Sequence, residues 1–177
     1  MKLEKGLIQI YTGDGKGKTT AALGQGIRAA GTGLEVYMVQ FLKTSPTGEL
    51  NIIEEIENFS VFRFESEKNF FWNLTDEEKE LLQRETDEAV DFIEKTLKEE
   101  ECDLLILDEF FGSLGNSLID EERFLNILKN KPENIEVVMT GRNAPESFVE
   151  IADYVTEMKM IKHPFTEGIQ SRKGIEY

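Results

Sequence analysis

The run Thr12-Gly13-Asp14-Gly15-Lys16-Gly17-Lys18-Thr19-Thr20 gathers three glycines, two lysines and three hydroxyls into nine residues. Glycines let a backbone turn tightly and aim several N–H groups at one anion, and a helix that follows adds its positive N-terminal end. In such a loop Lys18 would neutralise phosphate oxygens, and the Thr19 hydroxyl would ligate Mg²⁺. All nine residues are therefore candidates for binding a nucleotide triphosphate. One position departs from the usual G-x-x-x-x-G-K-[ST] pattern. Its first glycine would fall at position 12, where this chain has threonine, and Gly13 stands one place late. A phosphate cradle is still expected, with altered detail.

The second half of a nucleotide site is Leu105-Ile106-Leu107-Asp108-Glu109. In phosphate-loop proteins an acid at such a strand end holds the magnesium, directly or through water. Asp108 and Glu109 are both candidates, and the residues alone do not choose between them. The sequence offers no convincing Ser/His/Asp or Cys/His set for covalent catalysis. Cys102 is the only cysteine, which excludes an intramolecular disulfide and a cysteine metal cage; it is expected to be a buried thiol. His163 is the only histidine and is expected to be structural or to line a substrate.

These residues need a frame. Leu7–Tyr11 reads as a strand leading into the loop, and Thr19–Ala30 as a helix stopped by Gly31. Val36–Phe41 is a second strand, and Ser60–Phe64 alternates as a third would. Thr75 with Glu78 forms a capping-box pattern that opens a long helix to Glu100. In that helix Leu82, Thr86, Ala89, Ile93 and Leu97 step by three and four along one buried stripe, which leaves its acids on a solvated face. Leu104–Asp108 is a continuous apolar run ending in acid, as a central parallel strand buried on both faces would be. A helix is expected over Glu121–Lys129, and strands over Ile135–Met139 and Tyr154–Met160. Strands alternating with helices predict a parallel α/β sheet.

The chain has 177 residues, 40% hydrophobic and 10% aromatic, ordinary for one globular domain over residues 1–177. A net charge of −15 without a basic stripe argues against a nucleic-acid partner. No apolar run is long enough to cross a membrane. Met1–Gly6 does not lead into a signal-peptide stretch, so a cytoplasmic protein is expected.

Along nearly its whole length the sequence resembles the phosphate-loop type of ATP:corrinoid adenosyltransferase. The loop is similar to that family's T-G-x-G-K-G-K-T-T, including the threonine at position 12. Gln40-Phe41-Leu42-Lys43 followed by Gly48-Glu49 resembles its Q-F-x-K…G-E segment. Thr140-Gly141-Arg142-Asn143-Ala144-Pro145 matches T-G-R-x-A-P, and Ala152 through Met158 matches A-D-x-V-T-E-M. The tail from Lys162-His163-Pro164 to Tyr177 fits as well. The resemblance implies an α/β, single-domain P-loop (RecA-like) fold with a mainly parallel sheet flanked by helices. It also implies ATP, Mg²⁺ and a corrinoid, with the ribose 5′ carbon open to attack by Co(I) and triphosphate as leaving group. An electron donor such as a reduced flavoprotein and a homodimeric state follow from the same resemblance. Arg142 becomes a candidate for phosphate or for an acidic backbone partner.

The family also strips an axial ligand from Co(II) with aromatic side chains, so that the metal can be reduced. The corresponding segment is Asn69-Phe70-Phe71-Trp72 against a pattern near G-F-T-W; Phe70 and Trp72 match, while Asn69 and Phe71 depart. Moving one electron's potential by 100 mV corresponds to roughly 2.3 kcal/mol. Burying an aromatic of ~150–250 Å² at ~25 cal/mol per Å² yields about 4–6 kcal/mol. Two aromatics are thus sufficient in scale for a shift of a few hundred millivolts. Two other functions remain open on the residues: a non-catalytic ATP-binding regulator or carrier of the same fold, for which the 69 and 71 departures and Thr44-Ser45-Pro46 speak, or another phosphate-loop kinase or ATPase.

Overall fold

The computed structural model describes residues 2–43, 47–66 and 71–176. The chain is built on alternating strands and helices: β1 (Ile8–Thr12), α1 (Lys18–Ala30), β2 (Val36–Gln40), α2 (Leu50–Ile53), β3 (Phe59–Phe62), α3 (Asp76–Lys98), β4 (Leu104–Asp108), α4 (Phe110–Gly115), α5 (Glu121–Lys129), β5 (Glu136–Thr140), α6 (Glu146–Val149) and β6 (Tyr154–Glu157). The strands form one sheet in the order β3-β2-β4-β5-β1-β6, and every pairing is parallel. Parallel strands need crossover connections, so helices cover both faces of the sheet and its central strands are largely buried. β4 is buried at all five positions, as its uninterrupted apolar run predicts.

One core lies under α3, α4 and α5. Phe110 is fully buried there, with its ring 4.4 Å from that of Phe124 and 5.6 Å from that of Phe148, centroid to centroid. A second core under α1 collects Ala22, Met38, Ile106 and Val138. Helix α3 starts as its sequence dictates. The Glu78 N–H donates to Thr75 Oγ1 at 3.2 Å while the Thr75 N–H donates to Glu78 Oε2 at 2.7 Å, closing the capping box. Its predicted stripe, Leu82, Thr86, Ala89, Ile93 and Leu97, is buried throughout, and most of its acids are exposed.

The expected element positions hold within a few residues. The last strand is shorter than expected, ending at Glu157 rather than Met160, because the chain turns there against the phosphate loop. Helices α2, α4 and α6, of four to six residues each, carry too few turns for periodicity to mark them. Cys102 is buried, and burial pushes its thiol up to about 12.

Candidate active site

The ends of four adjacent parallel strands meet at one edge of the sheet: Gln40 on β2, Asp108 on β4, Thr140 on β5 and Thr12 on β1. Ligands of open α/β sheets bind at this carboxyl edge. Three loops leaving it hold non-glycine residues in the left-handed region: Leu42 (φ 53°), Glu109 (φ 58°) and Asn143 (φ 54°). Such conformations cost of order 1–3 kcal/mol each and persist only where packing enforces them.

The phosphate loop joins β1 to α1. Gly13 takes φ +101°, and a Cβ there would stand 2.5 Å from the Met158 carbonyl oxygen. The Gly15 N–H donates to that same oxygen at 2.7 Å, and the Met158 N–H donates to the Thr12 carbonyl at 2.8 Å. The end of β6 therefore buttresses the loop from behind, and only glycine fits at 13 and 15. Gly17 caps α1 at φ +118°. The Lys18 ammonium is buried and donates to the carbonyls of Gly13 at 2.7 Å and Gly15 at 3.0 Å. Burial lowers its pKa, a neighbouring Arg142 adds to the lowering, and Glu109, Asp14 and Asp108 oppose it. Asp14, Lys16 and Thr20 are exposed on the loop and the first turn of α1.

Thr12, the irregular first residue, has a structural partner. Its Oγ1 accepts the Ala144 N–H at 3.2 Å, which ties the loop to the Thr140–Pro145 turn. A glycine at position 12 could not make this bond. Gly141 in that turn adopts φ +145° with Phe111 Cβ 2.7 Å from where its own Cβ would stand, so the turn also lies directly on α4.

Asp108 is fully buried and saturated. Its Oδ1 accepts from the Thr19 and Thr140 hydroxyls, both at 2.8 Å, and its Oδ2 accepts from Lys43 Nζ at 2.7 Å and Gln40 Nε2 at 3.2 Å. A carboxylate offers about four lone-pair sites, and all four are used. Gln40 is in turn held by Arg63, whose Nε and terminal nitrogen donate to its Oε1 at 2.8 and 2.6 Å. Glu109 differs. Its backbone N–H donates to Thr140 Oγ1 at 3.0 Å, but its carboxylate makes no hydrogen bond to a described residue. Burial, and then Asp108, raise its pKa, while Lys43, Lys18 and Arg142 pull it down.

The predicted residues thus converge: Thr12 to Thr20, Asp108 and Glu109 share one site, and the charge of the exposed Arg142 reaches both Lys18 and Glu109. Trp72 lies in a 3₁₀ turn, Phe71–Asn73, with 75% of its surface exposed. Phe71, a departure from the family pattern, packs on the small core of Leu74, Leu82 and Leu118. Phe70 and Asn69, with Thr44-Ser45-Pro46, lie outside the described residues. His163 is structural in part: its Nδ1 accepts the Phe165 N–H at 3.2 Å, and it lines a cavity behind the loop. Sequence reasoning gave no role to Gln40, Lys43, Arg63 or Thr140. The available signal was a polar residue closing an apolar strand, which Gln40 and Thr140 share with Asp108.

The oxygen donors fit Mg²⁺. It is usually bound by one or two carboxylates together with substrate phosphates, and here Thr19, Asp108 and Glu109 stand beside the loop. Among the described residues no group of three or more His, Cys, Asp and Glu side chains gathers to cage a metal.

Comparison with known proteins decides the family. The model for ATP:corrinoid adenosyltransferase BtuR/CobO/CobP matches residues 4–177. The chain belongs to this family. It is 37% identical over 176 residues to a corrinoid adenosyltransferase of Sinorhizobium sp, a match covering 98% of this chain and 81% of the relative. It is 34% identical over 177 residues to the corrinoid adenosyltransferase of Escherichia coli K12, covering 98% and 87%. A relative of Salmonella typhimurium is also 34% identical, over 182 residues and the same shares. Among solved structures, a KaiC-like protein from Pyrococcus horikoshii OT3 superposes with a TM-score of 0.54, covering 97% of this chain and 76% of that one. At 14% identity it shares the fold alone.

Proposed function

We propose that this adenosyltransferase family member acts as one ATP-binding domain that transfers the 5′-deoxyadenosyl group of ATP to Co(I) of a corrinoid and releases inorganic triphosphate. One observation carries the proposal: the threonine at position 12, where the loop departs from the usual phosphate-loop pattern, is built into the site, its Oγ1 accepting the Ala144 N–H of the Thr140–Pro145 segment. In the reaction the Co(I) electron pair forms the bond to C5′, and the C5′–O bond breaks with its pair left on triphosphate. No proton has to move, so no protein base or nucleophile is required. The protein's task is to position the reactants and stabilise charge on the leaving group.

Loop amides from Gly13 to Thr20 hold the phosphates, and Lys18 turns from the Gly13 and Gly15 carbonyls to meet them. Arg142 supplies a further positive charge. Bound Mg²⁺ would be held by Thr19 and Glu109, with Asp108 orienting the Thr19 hydroxyl, and would supply charge neutralisation on triphosphate. Phe70 and Trp72 displace the axial ligand of Co(II); the exposure of Trp72 leaves its indole surface available to bury against a corrinoid. An electron donor such as a reduced flavoprotein completes the cycle. A homodimer in the cytoplasm, without nucleic-acid partners, is the proposed setting, and no described helix is long and apolar enough to cross a membrane.

The test separates reduction from transfer. Trp72→Ala should slow adenosylation from cob(II)alamin plus reductant far more than from chemically reduced cob(I)alamin, and should abolish a four-coordinate Co(II) spectrum. Equal losses on both substrates would contradict the role.

A further inference from the structure

Four side chains form a line of hydrogen bonds along the carboxyl edge of the sheet. It runs from Arg63, just beyond β3, through Gln40 on β2 and Asp108 on β4 to Thr19 in the first turn of α1. The strands β3, β2 and β4 are neighbours, so the line crosses adjacent strand ends. Arg63 donates from Nε and a terminal nitrogen to Gln40 Oε1 at 2.8 and 2.6 Å. Gln40 Nε2 donates to Asp108 Oδ2 at 3.2 Å, and the Thr19 hydroxyl donates to Asp108 Oδ1 at 2.8 Å. Both middle members, Gln40 and Asp108, are buried. Burial lowers the Arg63 pKa, while the charges of Glu49 and Asp108 oppose that, so the guanidinium stays cationic.

The two ends of the line fix the direction of every bond in it. A guanidinium only donates and an ionised carboxylate only accepts. The amide between them has a donor end and an acceptor end of nearly the same shape. Facing Arg63, it must present Oε1 to the guanidinium and Nε2 to Asp108. Turned over, it would set its oxygen against Asp108 Oδ2, two acceptors in contact. Arg63 therefore selects the end of Gln40 that meets Asp108. With Oδ2 gripped by Gln40 and by Lys43, the carboxylate is held where Oδ1 receives the Thr19 hydrogen. Thr19 has one hydroxyl hydrogen, and spending it on Asp108 leaves the oxygen lone pairs for a cation.

Resting on the adenosyl-transfer reading above, we propose that Arg63 is a positioning residue for the divalent cation that accompanies ATP. It acts through Gln40 and Asp108 on the Thr19 oxygen. Partners that orient a metal ligand typically alter metal affinity by about 10–100-fold when removed. Arg63 stands two residues behind Thr19, which puts its effect at the lower end, about tenfold. The loop amides that hold phosphate do not depend on this line, so nucleotide binding without metal is independent of it.

The test is calorimetric titration of ATP into the full chain, once in excess Mg²⁺ and once in EDTA. The ratio of the two affinities is the contribution of the metal. Arg63→Met should reduce that ratio by about tenfold and leave the affinity in EDTA unchanged. Arg63→Lys, which keeps a donor for Oε1, should lose less. Gln40→Met removes the middle of the line without removing a charge, and should reduce the ratio at least as far; it carries the test if Arg63→Met folds poorly. The double substitution should lose no more than Gln40→Met alone, because one residue acts through the other. Equal losses in Mg²⁺ and EDTA, additive losses in the double variant, or no effect of Mg²⁺ on the unaltered chain would overturn the assignment. Adenosyl transfer by the unaltered chain is assayed separately. If transfer occurs while the ratio ignores Arg63, only the positioning role fails; if the ratio follows Arg63 without transfer, that role stands and the adenosyl reading fails.

Discussion

Replacing Lys43 by methionine should destabilise the protein markedly, although the residue lies on a loop. Its ammonium sits 2.7 Å from Asp108 Oδ2, with side-chain exposures of 23% and 0%. Breaking a buried pair by removing one partner costs about 3–5 kcal/mol when the other charge is left uncompensated. Here Thr19, Thr140 and Gln40 still donate to Asp108, so the loss falls toward that of one hydrogen bond to a charged group, about 2 kcal/mol. For a domain of this size ~1 kcal/mol shifts the melting temperature by about 2–4 °C, so Lys43→Met should lower it by about 4–8 °C. The assay is thermal denaturation followed by circular dichroism, without nucleotide. Lys95→Met is the control: its 3.6 Å pair with Glu99 is exposed on both sides and should matter by under about 2 °C. In an Asp108→Asn background the Lys43 substitution should cost much less, since no buried charge remains. A Lys43→Met loss no larger than the Lys95→Met control would refute the buried ion-pair account.

Other consequences follow from the same geometry. Lys18→Ala should abolish transfer and weaken ATP binding, measured by product chromatography and calorimetry; turnover like that of the unaltered chain would contradict phosphate contact. Gly13→Ala places a Cβ against the Met158 carbonyl at positive φ, and should cost about 1–3 kcal/mol of stability in denaturant titration together with nucleotide binding. The Cys102 thiol should resist alkylation at pH 8 to 9 until the protein unfolds, so labelling with a maleimide or iodoacetamide should track denaturation. Because its folded pKa is raised from 9.0 to about 12, the stability this thiol contributes is fully present below pH 9 and is lost as pH rises toward 12, by up to ~1.4 kcal/mol per pH unit.

The parts legible in the sequence are those whose cause is local. The loop announces itself because Gly13 and Gly17 take positive φ that favours glycine locally, although the need for Gly15 comes from Met158 packed against it. The α3 stripe and the Thr75–Glu78 box follow from helix geometry alone, and β4 reads as central because a strand buried on both faces must be apolar throughout. Gln40 and Lys43 were invisible as site residues because their meaning depends on register. Gln40 is opposite Asp108 only once β2 pairs with β4, across 68 residues of chain. Thr140 reaches Asp108 through the neighbouring pairing of β4 with β5. Helix α4 carries two glycines in six residues and holds through the packing of Phe110 and Phe111 rather than propensity, so no local pattern could show it. The different bonding of Asp108 and Glu109, one carboxylate saturated and the other not, likewise has no local signature in the sequence.

The central claim is that the loop presents C5′ rather than the terminal phosphate to the acceptor. It is tested most directly by identifying the phosphorus product when the chain is incubated with ATP, Mg²⁺ and cob(I)alamin in the dark. Phosphorus NMR should show inorganic triphosphate forming in step with a light-labile cobalt–carbon absorption spectrum. ADP and orthophosphate, produced whether or not the corrinoid is present, would contradict the account.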